Sequence, residues 1–252
     1  MMINPLQFGH DHLRIRVAQD SRRFRGELAG FVASRLCQAI DQQGCAVLAV
    51  SGGRSPRELL IDLSELPLPW SRVSVMLIDE RSVGALHALS NSARIREWLL
   101  RGHARQAEFI SFTPVHDQAI DDVEGLARVA NLASDGLPEI SVGILGLGLD
   151  GHFASIFAQS ACDELLSGTA CPAYRAVRLH AKPVEAPVDR VSLNLAKLLR
   201  SDALVLPVAG AAKQQALRRA LEAPDRDWPA SLLMHQASCP LYIWLEESTH
   251  AH

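Results

Sequence analysis

Short apolar runs alternate with longer amphipathic segments along this chain. Apolar runs of about five residues, closed by glycine, proline or charged residues, are typical of strands buried on both faces of a parallel sheet. On this basis we predict seven strands, at Ala46–Val50, Val73–Ile78, Glu108–Phe112, Ile140–Leu145, Arg175–Leu179, Ala203–Val208 and Leu241–Leu245.

Between these strands the apolar positions recur at helical spacing, as in the series Phe24, Leu28, Val32 and Leu36. Strands that alternate with amphipathic helices predict a parallel sheet covered by helices on both faces. No linker-like, repeated or low-complexity stretch divides the chain. We therefore predict an α/β fold with a mostly parallel central sheet, in a three-layer α/β/α arrangement, as a single domain over residues 1–252.

The composition argues against several classes of protein. The 252 residues are 48% hydrophobic, which suffices for one large core, and their formal net charge is −3. Acids and bases are interspersed, which argues against nucleic-acid binding. No stretch approaches the roughly 20 apolar residues of a membrane span, and the first twelve residues lack the apolar core of a signal peptide. We expect a cytoplasmic protein that binds neither nucleic acid nor a membrane.

A glycine-rich loop that carries a carboxylate and an imidazole follows the fourth predicted strand. It reads Gly-Leu-Gly-Leu-Asp-Gly-His-Phe-Ala-Ser over residues 146–155. Its three glycines would allow the backbone to adopt dihedral angles that other residues rarely reach. Asp150 and His152 would present a base, the imidazole, and its orienting carboxylate to one pocket. A helix beginning near Phe153 would add its positive N-terminal end. We predict the chemistry at this loop.

Two other interpretations of the loop remain open. Gly146, Gly148 and Gly151 match the G-x-G-x-x-G of a dinucleotide-binding turn, although a pyrophosphate cradle has no use for a carboxylate in its middle. The loop would otherwise be a tight turn between strand and helix, in which Asp150 caps the helix and His152 is exposed. The loop alone does not decide between such a turn and a catalytic site.

A second glycine turn follows the first predicted strand. Residues 51–56 read Ser-Gly-Gly-Arg-Ser-Pro, where backbone N–H groups, hydroxyls and a guanidinium would surround a phosphate. No lysine closes a G-x-x-x-x-G-K pattern, so this is not a Walker loop. The alternative is a capped turn in which Ser55 is the N-cap and Pro56 the first helical residue.

Charged residues stand at the ends of two further predicted strands. Asp79, Glu80 and Arg81 follow the second strand, where an isolated charge is costly unless it is paired or bound to a ligand. They would form a structural salt bridge or, through Arg81, grip a phosphate or carboxylate. Lys213 follows the sixth strand in the first turn of a helix, where a cation opposes the helix dipole. A bound anion would explain that placement, although Lys213 alone is equally compatible with an ordinary surface position.

Together these strand-end loops resemble the 6-phosphogluconolactonase family, within the wider group of sugar-phosphate isomerase and deaminase folds of the NagB/RpiA type. The matching stretches are residues 51–56, Asp-Glu-Arg-Ser-Val at 79–83 with Ser-Asn at 90–91, the glycine loop with its tail to residue 157, and Arg-Val-Ser at 190–192 leading to Gly-Ala-Ala-Lys at 210–213. They occur in family order within a core from about residue 20 to 246, and the Gly-Asp-Gly-His stretch is the most specific.

This resemblance implies hydrolysis of 6-phospho-D-glucono-1,5-lactone to 6-phosphogluconate, the second step of the oxidative pentose phosphate pathway, without a metal or organic cofactor. His152 would be the general base for the attacking water and Asp150 its orienting partner. The substrate- and phosphate-binding residues would be Ser51, Gly52, Gly53, Arg54, Ser55, Asp79, Arg81, Arg190 and Lys213. Five widely spaced cysteines without a C-x-x-C pair also predict no zinc site. The expected partner is the phosphorylated lactone alone, for a monomer or weak homodimer.

The chain departs from the family pattern in its loops. The family usually has Ser-Gly-Gly-Ser-Thr-Pro in the phosphate loop, where this chain has Arg54 and Ser55 before the proline. The extra guanidinium either strengthens phosphate binding or points outward. Gly84 and Ala158 stand where the family commonly has proline, and these changes affect loop stiffness more than chemistry.

Two other functions remain open. A glucosamine-6-phosphate deaminase would typically carry Asn and Glu after the Gly-Asp-Gly-His stretch, whereas residues 153–157 here read Phe-Ala-Ser-Ile-Phe. A non-catalytic sugar-phosphate sensor would bind an effector in the same anion pocket. The pairing of Asp150 with His152 would then have no evident purpose.

Overall fold

The computed structural model describes residues 11–18, 21–158, 163–166, 169–179, 187–236 and 238–246. Its strands are β1 (Leu13–Ala18), β2 (Ala46–Val50), β3 (Val73–Leu77), β4 (Asp79–Arg81), β5 (Glu108–Ile110), β6 (Val142–Ile144), β7 (Tyr174–Val177), β8 (Arg190–Leu193), β9 (Leu204–Val208) and β10 (Leu241–Glu246). Its helices are α1 (Ser21–Gln43), α2 (Arg57–Ser64), α3 (Asn91–Trp98), α4 (Val123–Ala133), α5 (Asp163–Leu166), α6 (Leu195–Leu198), α7 (Ala211–Glu222) and α8 (Ala230–Met234).

A seven-stranded sheet in the order β1-β10-β9-β6-β2-β3-β5 forms the centre of the molecule, and its strand pairs are parallel. Every residue of β2 and of β9 is buried, as strands covered on both faces require. Helices flank the sheet; α1 contacts β1, β2, β6 and β10, and α7 contacts β9. The predicted three-layer α/β/α fold with a mostly parallel sheet is confirmed. Of the helices in the described part of the chain, none is long and apolar enough to cross a membrane.

One predicted strand belongs to a different sheet. The segment predicted at Arg175–Leu179 forms β7, which pairs antiparallel with β8, and β8 pairs antiparallel with β4. The prediction that it joins the parallel sheet is wrong, because other contacts hold it. The Asn131 amide of α4 bonds both backbone groups of Tyr174, and the Tyr174 hydroxyl donates to the carbonyl of Leu77 at the end of β3.

The apolar pattern does not reveal β1, β4 and β8. β1 is an edge strand in which Arg14 and Arg16 interrupt the apolar positions. β4 consists of three charged residues, yet Asp79 and Glu80 are buried. Their burial depends on hydrogen-bond partners from distant segments, which a local pattern does not show.

The order of the central sheet places four loops side by side. β9, β6, β2 and β3 are consecutive neighbours, and the four central loops are the segments that follow them, which contain residues 210–213, 146–152, 51–56 and 79–81. The last of these segments includes the short strand β4. Along the chain, β2 is followed toward one edge by β3 and β5, whereas β6 is followed toward the other edge by β9 and β10. The strand order therefore reverses between β2 and β6, and ligands of open α/β sheets bind in the crevice at such a point.

A buried carboxylate holds β4, the short strand that follows β3. Glu80 accepts hydrogen bonds from the backbone N–H groups of Arg81, Asn91 and Ser92, each at 2.7 Å, and from the Ser90 hydroxyl at 3.1 Å. Burial raises the pKa of Glu80, and the N–H groups oppose that rise. The carboxylate joins β4 to the N-terminus of α3. It thereby fixes the backbone of Arg81 and Asn91, which both line the central crevice.

Replacing Glu80 by glutamine tests this junction. In the Glu80→Gln variant an NH2 group would face backbone N–H donors, so the free energy of unfolding should fall by about 1–3 kcal/mol. Urea denaturation followed by circular dichroism measures the change. The control is Glu97→Gln, which changes an exposed residue of α3. Its free energy of unfolding should stay within about 0.5 kcal/mol of the wild-type value. Equal stability of the two variants would contradict the role assigned to Glu80.

Candidate active site

A cleft of about 1070 Å³ opens where the four central loops meet. The predicted site residues that line it are Ser51, Gly53, Arg54, Ser55, Asp79, Arg81, Asp150, His152, Arg190 and Lys213. Gly52 is the exception and does not line the cleft. Its carbonyl accepts a hydrogen bond from Arg94, and a Cβ there would lie 2.4 Å from the side-chain oxygen of Asn91. The fold thus brings the predicted base, its partner and the predicted cations into one cavity.

His152 and Asp150 form a close pair on the glycine loop. The imidazole Nδ1 lies 2.5 Å from a carboxylate oxygen of Asp150. Burial disfavours the Asp150 carboxylate, but the hydrogen bond and charge of His152 outweigh it, so the pKa of Asp150 is lowered. An ionised carboxylate can only accept, so the proton of this hydrogen bond lies on Nδ1, and in the neutral imidazole Nε2 then has the free lone pair. That tautomer is the one a general base requires.

Two of the three glycines in the loop are required by close contacts. A Cβ on Gly148 would lie 2.1 Å from His152 Nδ1 and 2.4 Å from the paired carboxylate. Gly151 has a φ of +79°, and a Cβ there would lie 2.3 Å from the ring of Trp228. A Cβ on Gly146 would meet nothing within 4 Å, and its φ lies outside the left-handed region. The prediction of special dihedrals is therefore confirmed for Gly151 alone.

No helix begins at Phe153, so that prediction is wrong. Phe153 forms isolated bridges with Leu147 and Ile156, and Ala154 has a φ of +50°, which interrupts a helix. The loop therefore does not lead directly into a helix N-terminus. The dinucleotide-binding turn and the helix cap at Asp150 are excluded with it, because both need a helix directly after the loop.

The tail of the loop supports both His152 and Asp79. The Phe157 ring stacks on the imidazole, with ring centroids 4.3 Å apart and an interplanar angle of 30°. The Ser155 hydroxyl donates to Asp79 at 2.7 Å, and its N–H donates to the Ser192 hydroxyl at 3.2 Å. The tail therefore connects the imidazole to β4 and β8 of the small antiparallel sheet.

The loop after β2 has the features of an anion-binding turn. The Ser51 hydroxyl is buried at the cleft without a hydrogen-bond partner among the described residues. Lys213 donates from Nζ to the Ser55 hydroxyl, which joins α7 to this loop. The capped-turn alternative is wrong, because α2 begins at Arg57 with Pro56 at the N-cap position and no side-chain cap. A buried hydroxyl of this kind is satisfied when a ligand supplies the partner.

Arg81 and Arg190 stand near Asp79 in the cleft wall. Arg81 donates to the side chain of Asn91, and among the described residues no ion pair forms within the Asp-Glu-Arg motif. Arg190 donates to the Val188 carbonyl at 2.5 Å. Burial, followed by the charge of Arg81, lowers the pKa of Arg190 to about 10. The Arg190 guanidinium remains charged at neutral pH, and a bound anion would stabilise a cation in this partly desolvated wall.

Arg94 is a candidate functional residue that the sequence motifs do not reveal. It lines the cleft and donates to the Gly52 carbonyl at 3.1 Å. Burial lowers the pKa of Arg94, and the charges of Arg81 and Arg54 lower it further. The signal that marked Lys213, a cation near the start of a helix, also applies to Arg94, the fourth residue of α3.

Cations dominate the electrostatics of the cleft, because in the described part of the chain five cationic side chains and two carboxylates line it. The cations are Arg54, Arg81, Arg94, Arg190 and Lys213, and the carboxylates are Asp79 and Asp150. Burial lowers the pKa of Lys213, and the charge of Arg54 lowers it further. A dianionic ligand relieves such mutual repulsion. The arrangement therefore favours a small phosphorylated molecule held beside the pair of Asp150 and His152.

Residues 19–243 match the family of glucosamine-6-phosphate isomerases/6-phosphogluconolactonase. The chain belongs to this family. Its relatives include the 6-phosphogluconolactonase of Pseudomonas aeruginosa, 41% identical over 79% of this chain and 81% of the relative. The 6-phosphogluconolactonase of Neisseria meningitidis serogroup A is 34% identical over 87% of this chain and 93% of the relative. The crystal structure of a 6-phosphogluconolactonase from Shewanella baltica matches with a TM-score of 0.84 and 30% identity, covering 94% of this chain and 100% of that one.

Family membership confirms the resemblance drawn from the strand-end motifs. The matched residues include the loops after β2, β3, β6 and β9, so the family region contains the whole described cleft. The NagB-type fold expected from that resemblance is confirmed as well.

The Asp150 and His152 pair should open when Gly148 becomes alanine. The new Cβ would occupy the space of the imidazole Nδ1, so the carboxylate would lose the hydrogen bond and charge of the imidazole while its burial remains. The pKa of Asp150 should then rise, as measured by NMR titration of its 13C-labelled carboxyl group. In wild type the pair stabilises the folded state at pH values above the ordinary carboxyl pKa. This stabilisation is lost as the pH falls through the lowered pKa of Asp150, and the variant should lack it.

Gly146→Ala is the matched control for that variant. A Cβ at position 146 meets nothing within 4 Å, so Asp150 should titrate as it does in wild type. Identical titration of Asp150 in all three proteins would show that the imidazole does not hold its pKa.

Proposed function

We propose that this protein hydrolyses 6-phospho-D-glucono-1,5-lactone to 6-phosphogluconate, the second step of the oxidative pentose phosphate pathway. The observation that carries the proposal is the pair of Asp150 and His152, 2.5 Å apart, in a cleft whose cations favour a phosphorylated ligand. Relatives at 30% identity or more that are named for this activity support the same reaction. The proposed mechanism uses side chains of this chain and water.

In the proposed reaction His152 acts as the general base. Its Nε2 takes a proton from the water that attacks C1 of the lactone, which produces a tetrahedral intermediate with negative charge on the former carbonyl oxygen. The imidazolium then returns the proton to the ring oxygen as the bond between C1 and that oxygen breaks. Asp150 stabilises the imidazolium and, in the neutral imidazole, holds the proton on Nδ1, so that Nε2 is the nitrogen with the free lone pair.

The phosphate of the substrate would lie against the loop after β2. The hydroxyls of Ser51 and Ser55 and the ammonium of Lys213 supply donors there, and Arg54 stands where the family usually has serine. Since the phosphate is far from the reacting carbon, its binding energy serves to hold C1 against the attacking water. The remaining arginines of the cleft add positive charge for the phosphate or for charge that develops on the sugar.

The segment after His152 argues against amino-sugar deamination. A deaminase needs an acidic group there to move protons during ring opening, whereas this segment places Phe157 on the imidazole and Ser155 on Asp79. A non-catalytic sensor is disfavoured by the pair of Asp150 and His152, because binding alone does not need a carboxylate that orients an imidazole in the cleft.

The first test follows acid release from freshly prepared 6-phosphogluconolactone in weak buffer. The lactone opens spontaneously, so reactions without enzyme, with wild type and with His152→Ala are compared. Loss of the general base should lower kcat by about 10²–10⁴-fold. The affinity for 6-phosphogluconate, measured by calorimetry, should stay within about threefold because the phosphate contacts remain.

His103→Ala replaces an exposed histidine outside the cleft and should keep wild-type rates. Equal rates without enzyme, with wild type and with His152→Ala would reject the proposed function. The next measurement would then be ammonia release from glucosamine 6-phosphate.

The phosphate contacts are tested by Lys213→Ala. This variant should raise KM for the phosphorylated lactone about tenfold, because one charge-assisted hydrogen bond to the phosphate is lost. The variant should change KM for the neutral glucono-1,5-lactone only slightly. The control is Lys197→Ala, since Lys197 pairs with Glu139 at 2.7 Å and does not line the cleft. If steady-state kinetics of Lys213→Ala match wild type, the phosphate binds elsewhere.

A further inference from the structure

Trp228 packs against the back of the catalytic loop and does not line the substrate cleft. Its side chain is buried, and a Cβ on Gly151 would lie 2.3 Å from the ring atom Cδ2. The indole ring and the backbone of Gly151 are therefore in contact, with no room for a side chain between them. Because Gly151 separates Asp150 from His152, the ring supports the segment that carries both catalytic side chains.

The indole ring is fastened to α7. Its Nε1–H donates to the carbonyl of Ala216 at 3.2 Å, and the Arg219 guanidinium lies 3.9 Å from the ring centroid. Arg219 is oriented in turn by Asp225, whose carboxylate lies 3.8 Å from it. A buried indole with its N–H satisfied and a cation over its face has little freedom to move.

A backbone hydrogen bond joins the start of α8 to the catalytic loop. The N–H of Ala230, at the start of α8, donates to the carbonyl of Gly151 at 2.8 Å. Residues 228–230 thus contact Gly151 through both a side chain and the backbone. The same helix α7 that accepts the indole hydrogen bond also contacts the loop after β2, because Lys213 at its start donates to Ser55.

We propose that Trp228 is a positioning residue that sets the distance between the phosphate-binding end of the cleft and the general base. The inference rests on the proposed function, since it needs a substrate whose phosphate is held near Lys213 while His152 acts on C1. Phosphate binding can hold C1 against the attacking water only if both ends of the cleft form one rigid unit. Trp228 completes that unit through α7.

This role predicts a difference between two substrates. The neutral glucono-1,5-lactone has no phosphate and gains nothing from a fixed distance between the two ends, whereas 6-phosphogluconolactone depends on it. Loosening the ring contact should therefore reduce the kcat advantage of the phosphorylated lactone. A merely structural role would lower both rates through the fraction of folded enzyme and would leave their ratio unchanged.

The experiment measures kcat and KM for both lactones with full-length wild type and Trp228→Ala. We expect kcat for the phosphorylated lactone to fall about ten- to hundredfold. The ratio of the two kcat values should fall about tenfold. The inhibition constant of inorganic phosphate should stay within about twofold, because the donors of the phosphate loop are untouched.

Trp244→Ala is the matched control. Trp244 is also buried, has Arg16 over its ring at 5.4 Å and lies in β10, outside the cleft lining. This variant should lower the melting temperature and leave the kcat ratio unchanged. Arg219→Gln keeps the indole ring and removes the cation above it, so it decides the question if Trp228→Ala does not fold. It should lower the ratio by a smaller factor.

An unchanged ratio in folded Trp228→Ala would overturn the inference, as would an equal fall of the ratio in Trp244→Ala. If Trp228→Ala does not fold, an unchanged ratio in Arg219→Gln overturns it. Failure of wild type to accelerate the phosphorylated lactone would instead overturn the proposed function. The two failures are therefore distinguishable.

Discussion

The site depends on the reversal of strand order between β2 and β6. Parallel strands place their carboxyl ends at one edge of the sheet, and connections that leave in opposite directions keep a crevice open between these two strands. The loops after β2 and β6 face each other across it, and the loops after β3 and β9 flank them. The bonds of Lys213 to Ser55 and of Ser155 to Asp79 both join loops that this order makes neighbours.

The second determinant is the way in which the cleft stays positive. Five cations in one cavity repel one another, and the fold holds several of them with neutral acceptors. Arg94 donates to the carbonyl of Gly52, and Arg81 donates to the side chain of Asn91. Neutral acceptors orient a guanidinium without cancelling its charge, whereas a carboxylate in the same place would compete with a phosphate. The cost of this repulsion is offset by the large apolar core beneath the site and, in the proposed function, by the substrate itself.

An element of the fold can be predicted from the sequence when the contacts that form it are local. The strand predicted at Ala46–Val50 is β2 residue for residue, because an unbroken apolar run between two turn signals admits little else. β4 was missed because its charged residues become a buried strand only when Glu80 meets the N–H groups at the start of α3. Arg94 was missed for a related reason, since its contact with Gly52 depends on α3 lying beside the loop after β2.

The order of amino acids was sufficient to predict which loops line the cleft and that they follow strands. It also placed Asp150 and His152 two residues apart, within reach of each other in almost any turn. Tertiary contacts determined that the four loops are neighbours, that the chain after His152 turns back without a helix, and that Trp228 lies behind Gly151. Apolar periodicity reports how each segment is buried, but strand order and side-chain packing arise from contacts between residues far apart in the chain, which a local pattern does not contain.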